Sequence, residues 1–205
     1  MTHMTIKNDK SWIGDLLGGS LMSRESRVIA ELLLKEPDEA LWQAQIADEN
    51  ILQASSSKTA SRYARTLKLR LMTLDAPALQ LIVNGSESER LQLLLTALVL
   101  QSPVVADFIA TVVNSARQEF KDKLAGNCWD EFVKENLRQH PELTYFSDSS
   151  IQKMGSNLIK SLAEAGYLDT PRRRHLQTIF LLPEVAATLH RLDKAYLIPV
   201  LEGKA

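Results

Sequence analysis

The run from Leu91 to Val113, LQLLLTALVLQSPVVADFIATVV, has to leave water, and where it goes decides the fold. It is as long as the roughly 20 residues that cross a bilayer. Gln101, Ser102, Pro103 and Asp107 interrupt it, however, and Ser102-Pro103 has the pattern of an N-cap followed by proline at the first helical position. The run therefore reads as two helices meeting at Ser102, buried in a protein core rather than in lipid. A chain of 205 residues, 45 % apolar and 24 % charged, is large enough for such a core in one large or two small domains. Only 8 Gly and 7 Pro favour helices with short connections. The single cysteine, Cys128, excludes an internal disulfide and fits a small core residue in a reducing compartment. The opening residues lack a basic region and an apolar stretch of signal type, so the expected location is cytoplasmic.

Helical spacing recurs along the rest of the chain. Met1 to Asn8 is expected to be loose, and Ser11 to Leu17 to form a short helix closed by Gly18-Gly19. Ser23 caps a helix to Lys35, and Pro37 starts another to about Asp48. Asp75-Ala76-Pro77 and Asn84-Gly85 bound a short apolar helix. Ser86 and Glu89 then make a capping box for the helix to Leu100. Pro103 to Leu124 reads as the longest helix, and Trp129, Phe132, Val133 and Leu137 as the inner side of the next. Asn84-Gly85-Ser86 is the weakest joint, which divides the chain into residues 1–84 and 85–205.

Charge is segregated. Between Lys35 and Lys58 there is no Lys or Arg, whereas between Ile51 and Leu74 there is no Asp or Glu. Within the second stretch Ala60, Ala64, Leu67, Leu71 and Leu74 fall in one helical stripe about 80° wide. Lys58, Arg62 and Arg65 point away from it, and Lys68 and Arg70 project onto its flanks. Unmixed positive charge is unusual on a solvated helix, where alternating signs gain i,i+4 pairs. Three helices, the last one basic, have the composition of a helix-turn-helix unit.

The C-terminal part adds a second basic element. Ser147 to Ser150 cap a helix from about Ile151 to Ala165, with Lys153, Asn157 and Lys160 projected onto its outer side. Tyr167-Leu168 and Leu176 to Leu182 read as two strands around the basic turn of Arg172, Arg173 and Arg174. Helix, strand, basic turn, strand, helix is the order of a winged helix-turn-helix. The predicted class is therefore all-α, with a helix-turn-helix-like N-terminal unit and a helical C-terminal domain ending in a winged helix with a small β hairpin.

LMSRESRVIAELLL (Leu21 to Leu34) and ENILQASSSKTASRYARTLKLRL (Glu49 to Leu71) resemble the BrxA family of bacterial BREX phage-exclusion systems. The resemblance extends to the GYLDTPRRR region. It implies an all-helical, cytosolic, DNA-binding accessory protein acting beside a methyltransferase and ATPases encoded elsewhere. It assigns no residue a role.

Catalytic chemistry finds little support in the residues. His3, His140, His175 and His190 have no paired metal spacing, and nothing designates a base for Cys128. No cofactor, metal, membrane or small-molecule substrate is expected. The expected partners are double-stranded DNA and other BREX components. The expected DNA contacts are Lys58, Arg62, Arg65, Lys68, Lys153, Asn157, Lys160, Arg172, Arg173 and Arg174. The alternative is a protein-interaction scaffold, which would present an exposed apolar patch instead.

Overall fold

The computed structural model describes residues 10–203, so the segment Met1 to Asn8 lies outside the described residues. The helices are α1 (Lys10–Ile13), α2 (Ser23–Leu34), α3 (Glu39–Gln43), α4 (Ser57–Leu71), α5 (Ala76–Asn84), α6 (Glu87–Gln101), α7 (Val104–Gln118), α8 (Cys128–Asn136), α9 (Asp148–Glu164), α10 (Pro183–Arg191) and α11 (Ile198–Glu202). A 3-10 turn, Leu16–Gly18, follows α1, and π-helical turns continue α3 through Ala44–Asp48 and widen α7 over Ile109–Asn114.

The core is built around α6. Every residue from Leu93 to Val99 is buried, and a helix apolar on all sides has to sit at the centre. The capping box at Ser86 and Glu89 starts it as the sequence predicts. Helices α2, α4 and α5 pack on one side of α6, and α9 and α10 also lie against it. Each fully buried leucine here contributes about 1.5–3 kcal/mol of transfer free energy. At Ser102-Pro103 the chain turns through 111° into α7, whose Val104, Val105, Phe108, Ile109 and Val113 are buried as well. Ser102 is itself buried: its backbone N–H donates to Leu98 O at 2.8 Å, and its hydroxyl accepts from the Asp15 N–H at 3.2 Å. The apolar run is thus absorbed by the core in two pieces. Among the described residues no single helix is long and apolar enough to cross a membrane, and the one pair that reaches that length together is the bent α6–α7.

Aromatic rings close the far side of α7. Phe108 meets Phe132 edge-on at 5.2 Å and Trp129 at 5.9 Å, while Trp12 stacks on His140 at 3.5 Å. Cys128 is buried beside them, and burial pushes its thiol pKa up, which fits a core residue. Asp75 ties the two halves of the chain: it caps α5 at Ala78 N and pairs with Arg191 of α10 at 2.6 and 3.2 Å. That hydrogen-bonded pair holds the Asp75 carboxyl below its ordinary range.

Two expectations about local structure are corrected. No strand forms among the described residues: only isolated bridges, Leu168 with Leu176 and Lys123 with His175, remain of the expected hairpin. The β-favouring run Leu176 to Leu182 pairs with backbone at its start, where Gln177 N donates to Tyr167 O at 3.0 Å, and meets a side chain at its end. Gln92 of α6 donates to Phe180 O at 3.0 Å and accepts from Leu182 N at 2.9 Å. Likewise α7 ends at Gln118 rather than Leu124. The charged residues that follow leave the helix, and their backbone pairs with the Arg174 region: Leu124 N donates to Arg174 O at 3.1 Å, and Leu176 N to Asp122 O at 2.9 Å.

Gly155 of α9 tests the packing. A Cβ there would lie 2.3 Å from Cδ1 of the Trp129 ring, whose Nε1 donates to Ile151 O at 2.8 Å. Alanine is the better helix former by about 1 kcal/mol, yet overpacking a core costs about 1–3 kcal/mol. Gly155→Ala is therefore expected to lower the thermal midpoint; an unchanged or raised midpoint would show that Trp129 moves aside freely.

Candidate functional site

Helix α4 carries its charges in two different ways. Ser56 caps it, accepting from Thr59 N at 3.2 Å, and Ala60, Ala64, Leu67 and Leu71 are buried as the stripe requires. Lys58, Arg62 and Arg65 are exposed on the opposite side, and among the described residues none of them is in an ion pair. The Arg62 guanidinium lies 4.7 Å from the Tyr63 ring centroid. Lys68 is half-buried with its ammonium 4.2 Å from the centre of the Trp42 ring, so part of its charge is spent on a cation–π contact.

Arg70 does the opposite of what the projection onto a flank suggests. It is 3 % exposed and clamps the segment before α2: Nη1 donates to Ser20 O at 2.7 Å, and Nη2 to Asp15 O at 2.8 Å and Gly19 O at 2.9 Å. Its Nε is buried without a partner. Burial draws its pKa down to about 10, against the attraction of Asp15 and Glu164, so it stays charged at neutral pH. The same segment is held from α4 by the Thr66 hydroxyl, which donates to Asp15 Oδ2 at 2.7 Å. At Gly18 any Cβ would come within 2.4 Å of the Thr66 methyl, so only glycine lets the two approach.

Helix α9 grips that segment from another side. Asn157, expected outside on a base-reading face, is 6 % exposed and donates from Nδ2 to Leu16 O at 2.7 Å. The correction has a physical cause: α9 packs on the Leu16–Gly18 turn as well as on α6, so its buried arc is wider than one stripe. Glu164 accepts from Leu21 N at 2.9 Å and from the Ser20 hydroxyl at 3.0 Å, and Lys160 pairs with Glu164 at 3.7 Å. Lys153 is exposed and, among the described residues, in no ion pair. Helices α4 and α9 thus both hold the segment Asp15 to Leu21, through Thr66 and Arg70 from one and Asn157 and Glu164 from the other.

The basic turn is partly internal. Arg173 pairs with Asp169 at 2.9 Å. Arg174 has φ of 61° and turns inward, with Nη1 donating to Ala125 O at 3.0 Å and Gly126 O at 2.8 Å. Arg172 is exposed and, among the described residues, in no ion pair. The backbone pairing with residues 122–124 brings in Lys123, which is exposed, is in no ion pair among the described residues, and was missed in the sequence. Its only signal there was a charged tail on a long helix, and the tail proved to be a loop. A cleft of about 630 Å³ beside this turn also carries Glu119, Glu131 and Glu135, so its charge is mixed. Among the described residues no group of three or more His, Cys, Asp or Glu could hold a metal ion.

Comparison with known proteins agrees over almost the whole of this architecture. The BrxA family profile matches residues 10–193. The chain is 66 % identical to "BREX protein BrxA" of Escherichia coli O9:H4 (strain HS), covering 97 % of this chain and 93 % of that one. It is 30 % identical to "BREX protein BrxA" of Paramagnetospirillum magneticum (strain ATCC 700264 / AMB-1), covering 90 % and 92 %. A crystal structure of an uncharacterized protein from Magnetospirillum magneticum superposes with a TM-score of 0.85 at 27 % identity, over 94 % of this chain and 99 % of the other.

The two kinds of arginine on α4 separate in a stability measurement. Arg70→Met leaves the carbonyls of Asp15, Gly19 and Ser20 without their donor, an expected loss above about 3 kcal/mol. Arg62→Ala removes an exposed side chain and is expected to stay within about 0.5 kcal/mol. Denaturant unfolding of both variants checks this; equal losses would contradict the clamp.

Proposed function

The chain belongs to the BrxA family, a component of BREX phage-defence systems, and on that footing we propose that it is a non-catalytic protein that binds duplex DNA. The observation that carries this reading is the outer side of α4, where Lys58, Arg62 and Arg65 stand exposed and without acidic partners on a helix that contains no Asp or Glu. Phosphates are the natural complement of such a surface, because each one neutralised by Lys or Arg releases a counterion. Arginine suits them further, since its planar fork holds two oxygens at once. Ser55, Ser57 and Ser61 beside the cations add neutral hydroxyl donors.

In this reading α4 leads and the basic turn follows. Lys153, Lys160, Arg172 and Lys123 supplement the α4 cluster, whereas Arg173 and Arg174 mainly shape the turn. The α4 element belongs to the N-terminal unit of residues 1–84 and the turn to residues 85–205. The apolar packing of α4 and its clamp by Arg70 hold the helix itself in place, so binding has to order the exposed Lys and Arg side chains but not the backbone that carries them.

A second reading, a scaffold for other BREX components, is favoured by a different surface. Between α5 and α10 lies an open groove of about 760 Å³ whose walls include Ala76, Pro77, Leu81 and Ala187. Exposed apolar walls of this kind suit a protein partner.

The test is binding of unrelated duplexes by fluorescence anisotropy over a salt series. The parent is expected to bind all of them with similar affinity and a steep salt dependence. The Lys58→Ala, Arg62→Ala, Arg65→Ala triple variant is expected to weaken binding to every duplex alike and to make the slope of log affinity against log salt shallower by about two to three. Unchanged affinity and slope would put the scaffold reading first.

A further inference from the structure

Arg62 and Arg65 do more than face solvent: they form one wall of a cleft. The cleft lies between α4, the Leu16–Gly18 turn and the residues just before α9, and has a volume of about 480 Å³. That is within the roughly 300–1,000 Å³ of small-molecule sites. Leu17, Leu69 and Phe146 supply apolar surface, and Leu69 is 48 % exposed although it belongs to a helix with a full buried stripe. Gln101 and Asp15 line it on the polar side.

The polar wall is already rigid. Asp15 accepts from Gly18 N at 2.9 Å through Oδ1 and from the Thr66 hydroxyl at 2.7 Å through Oδ2. The Gln101 Oε1 accepts from Asp15 N at 3.1 Å, which fixes that amide in place. Two unpaired arginines next to apolar and aromatic side chains, backed by a fixed amide, match a ligand with an anionic end and a flat face. A duplex backbone has the anion but keeps its flat faces stacked inside.

We propose that this cleft is a nucleotide site. Arg62 and Arg65 take the phosphate of a nucleoside monophosphate, and Leu17, Leu69 and Phe146 take its base, with the Gln101 amide at the base edge. The Asp15 carboxylate keeps the phosphate at the arginine end. The nucleotide can come from the free pool or from a DNA strand in which one nucleotide stands outside the helix. The inference deepens the duplex-binding reading by naming what one part of that face holds.

Two probes and two variants test it. The probes are deoxyadenosine monophosphate, followed by amide chemical shifts, and a duplex with a single bulged adenosine compared with its fully matched counterpart. The variants are Phe146→Ala, which removes a wall, and Leu69→Trp, which fills the cleft; neither changes charge. The parent is expected to prefer the bulged duplex by about tenfold, the scale of stacking one base on a side chain. Both variants are expected to lose the preference while binding matched duplex as before. Shifts at Leu17, Leu69 and Gln101 with the monophosphate alone, without a bulge preference, assign the site to free nucleotide. A bulge preference without such shifts assigns it to a DNA strand. If matched duplex is not bound but the monophosphate is, the nucleotide site stands and the duplex reading falls. Equal binding of bulged and matched duplexes with no shifts in the cleft, or a preference that survives in both variants, overturns the proposal.

Discussion

The structure depends on one buried cation. Arg70 brings a guanidinium into a place where water cannot follow, and three backbone carbonyls of the Asp15–Ser20 segment receive it. An isolated charge there would cost several kcal/mol, so the carbonyls and the nearby Asp15 and Glu164 are required rather than incidental. The consequence reaches beyond α4. The clamped segment also accepts Asn157 and donates to Glu164 of α9, and Asp15 N reaches Gln101 and Ser102 where α6 turns into α7. Three helices distant in sequence, α4, α6 and α9, are therefore joined through one irregular stretch that has little secondary structure of its own. That arrangement divides the charges of α4: Arg70 is buried in the clamp, whereas Lys58, Arg62 and Arg65 stand exposed.

Where local chemistry decides the structure, the sequence is a good guide. The break at Ser102-Pro103, the Ser86–Glu89 capping box, the Asp75 cap and the inner stripe of α4 are all written in neighbouring residues. Reading fails where a distant group supplies the partner. Arg70 and Asn157 look like surface residues because a projection assumes one buried side, whereas α4 and α9 are each packed on more than one. Leu176 to Leu182 looks like a strand, but the donor and acceptor that meet its end, at Phe180 O and Leu182 N, belong to the Gln92 side chain. The basic turn is legible as a turn, but its inward Arg174 follows from bonds to Ala125 and Gly126, far away in sequence. The resemblance to the BrxA family, carried by Leu21 to Leu34 and Glu49 to Leu71, holds over residues 10–193.

The neutral overall charge conceals how the surface is organised. A formal charge of −1 is the sum of 24 basic and 25 acidic residues, yet α4 contains no acidic residue at all. The cleft beside the basic turn carries glutamates as well as cations, so it is closer to internally balanced. The acidic stretch from Glu36 to Glu49 includes the Ala44–Asp48 turn, which packs against α4, so segments of opposite charge lie side by side.

The measurement that addresses this account most directly is amide hydrogen exchange of the whole protein with and without duplex DNA at low salt. Without DNA, the amides of Gly18 and Leu21 are expected to exchange slowly, because Asp15 and Glu164 hold them. With DNA, new protection is expected over Ser55 to Arg65 and, more weakly, around Arg172 and Lys123. Protection confined to the groove of α5 and α10, with α4 unchanged, would contradict the account.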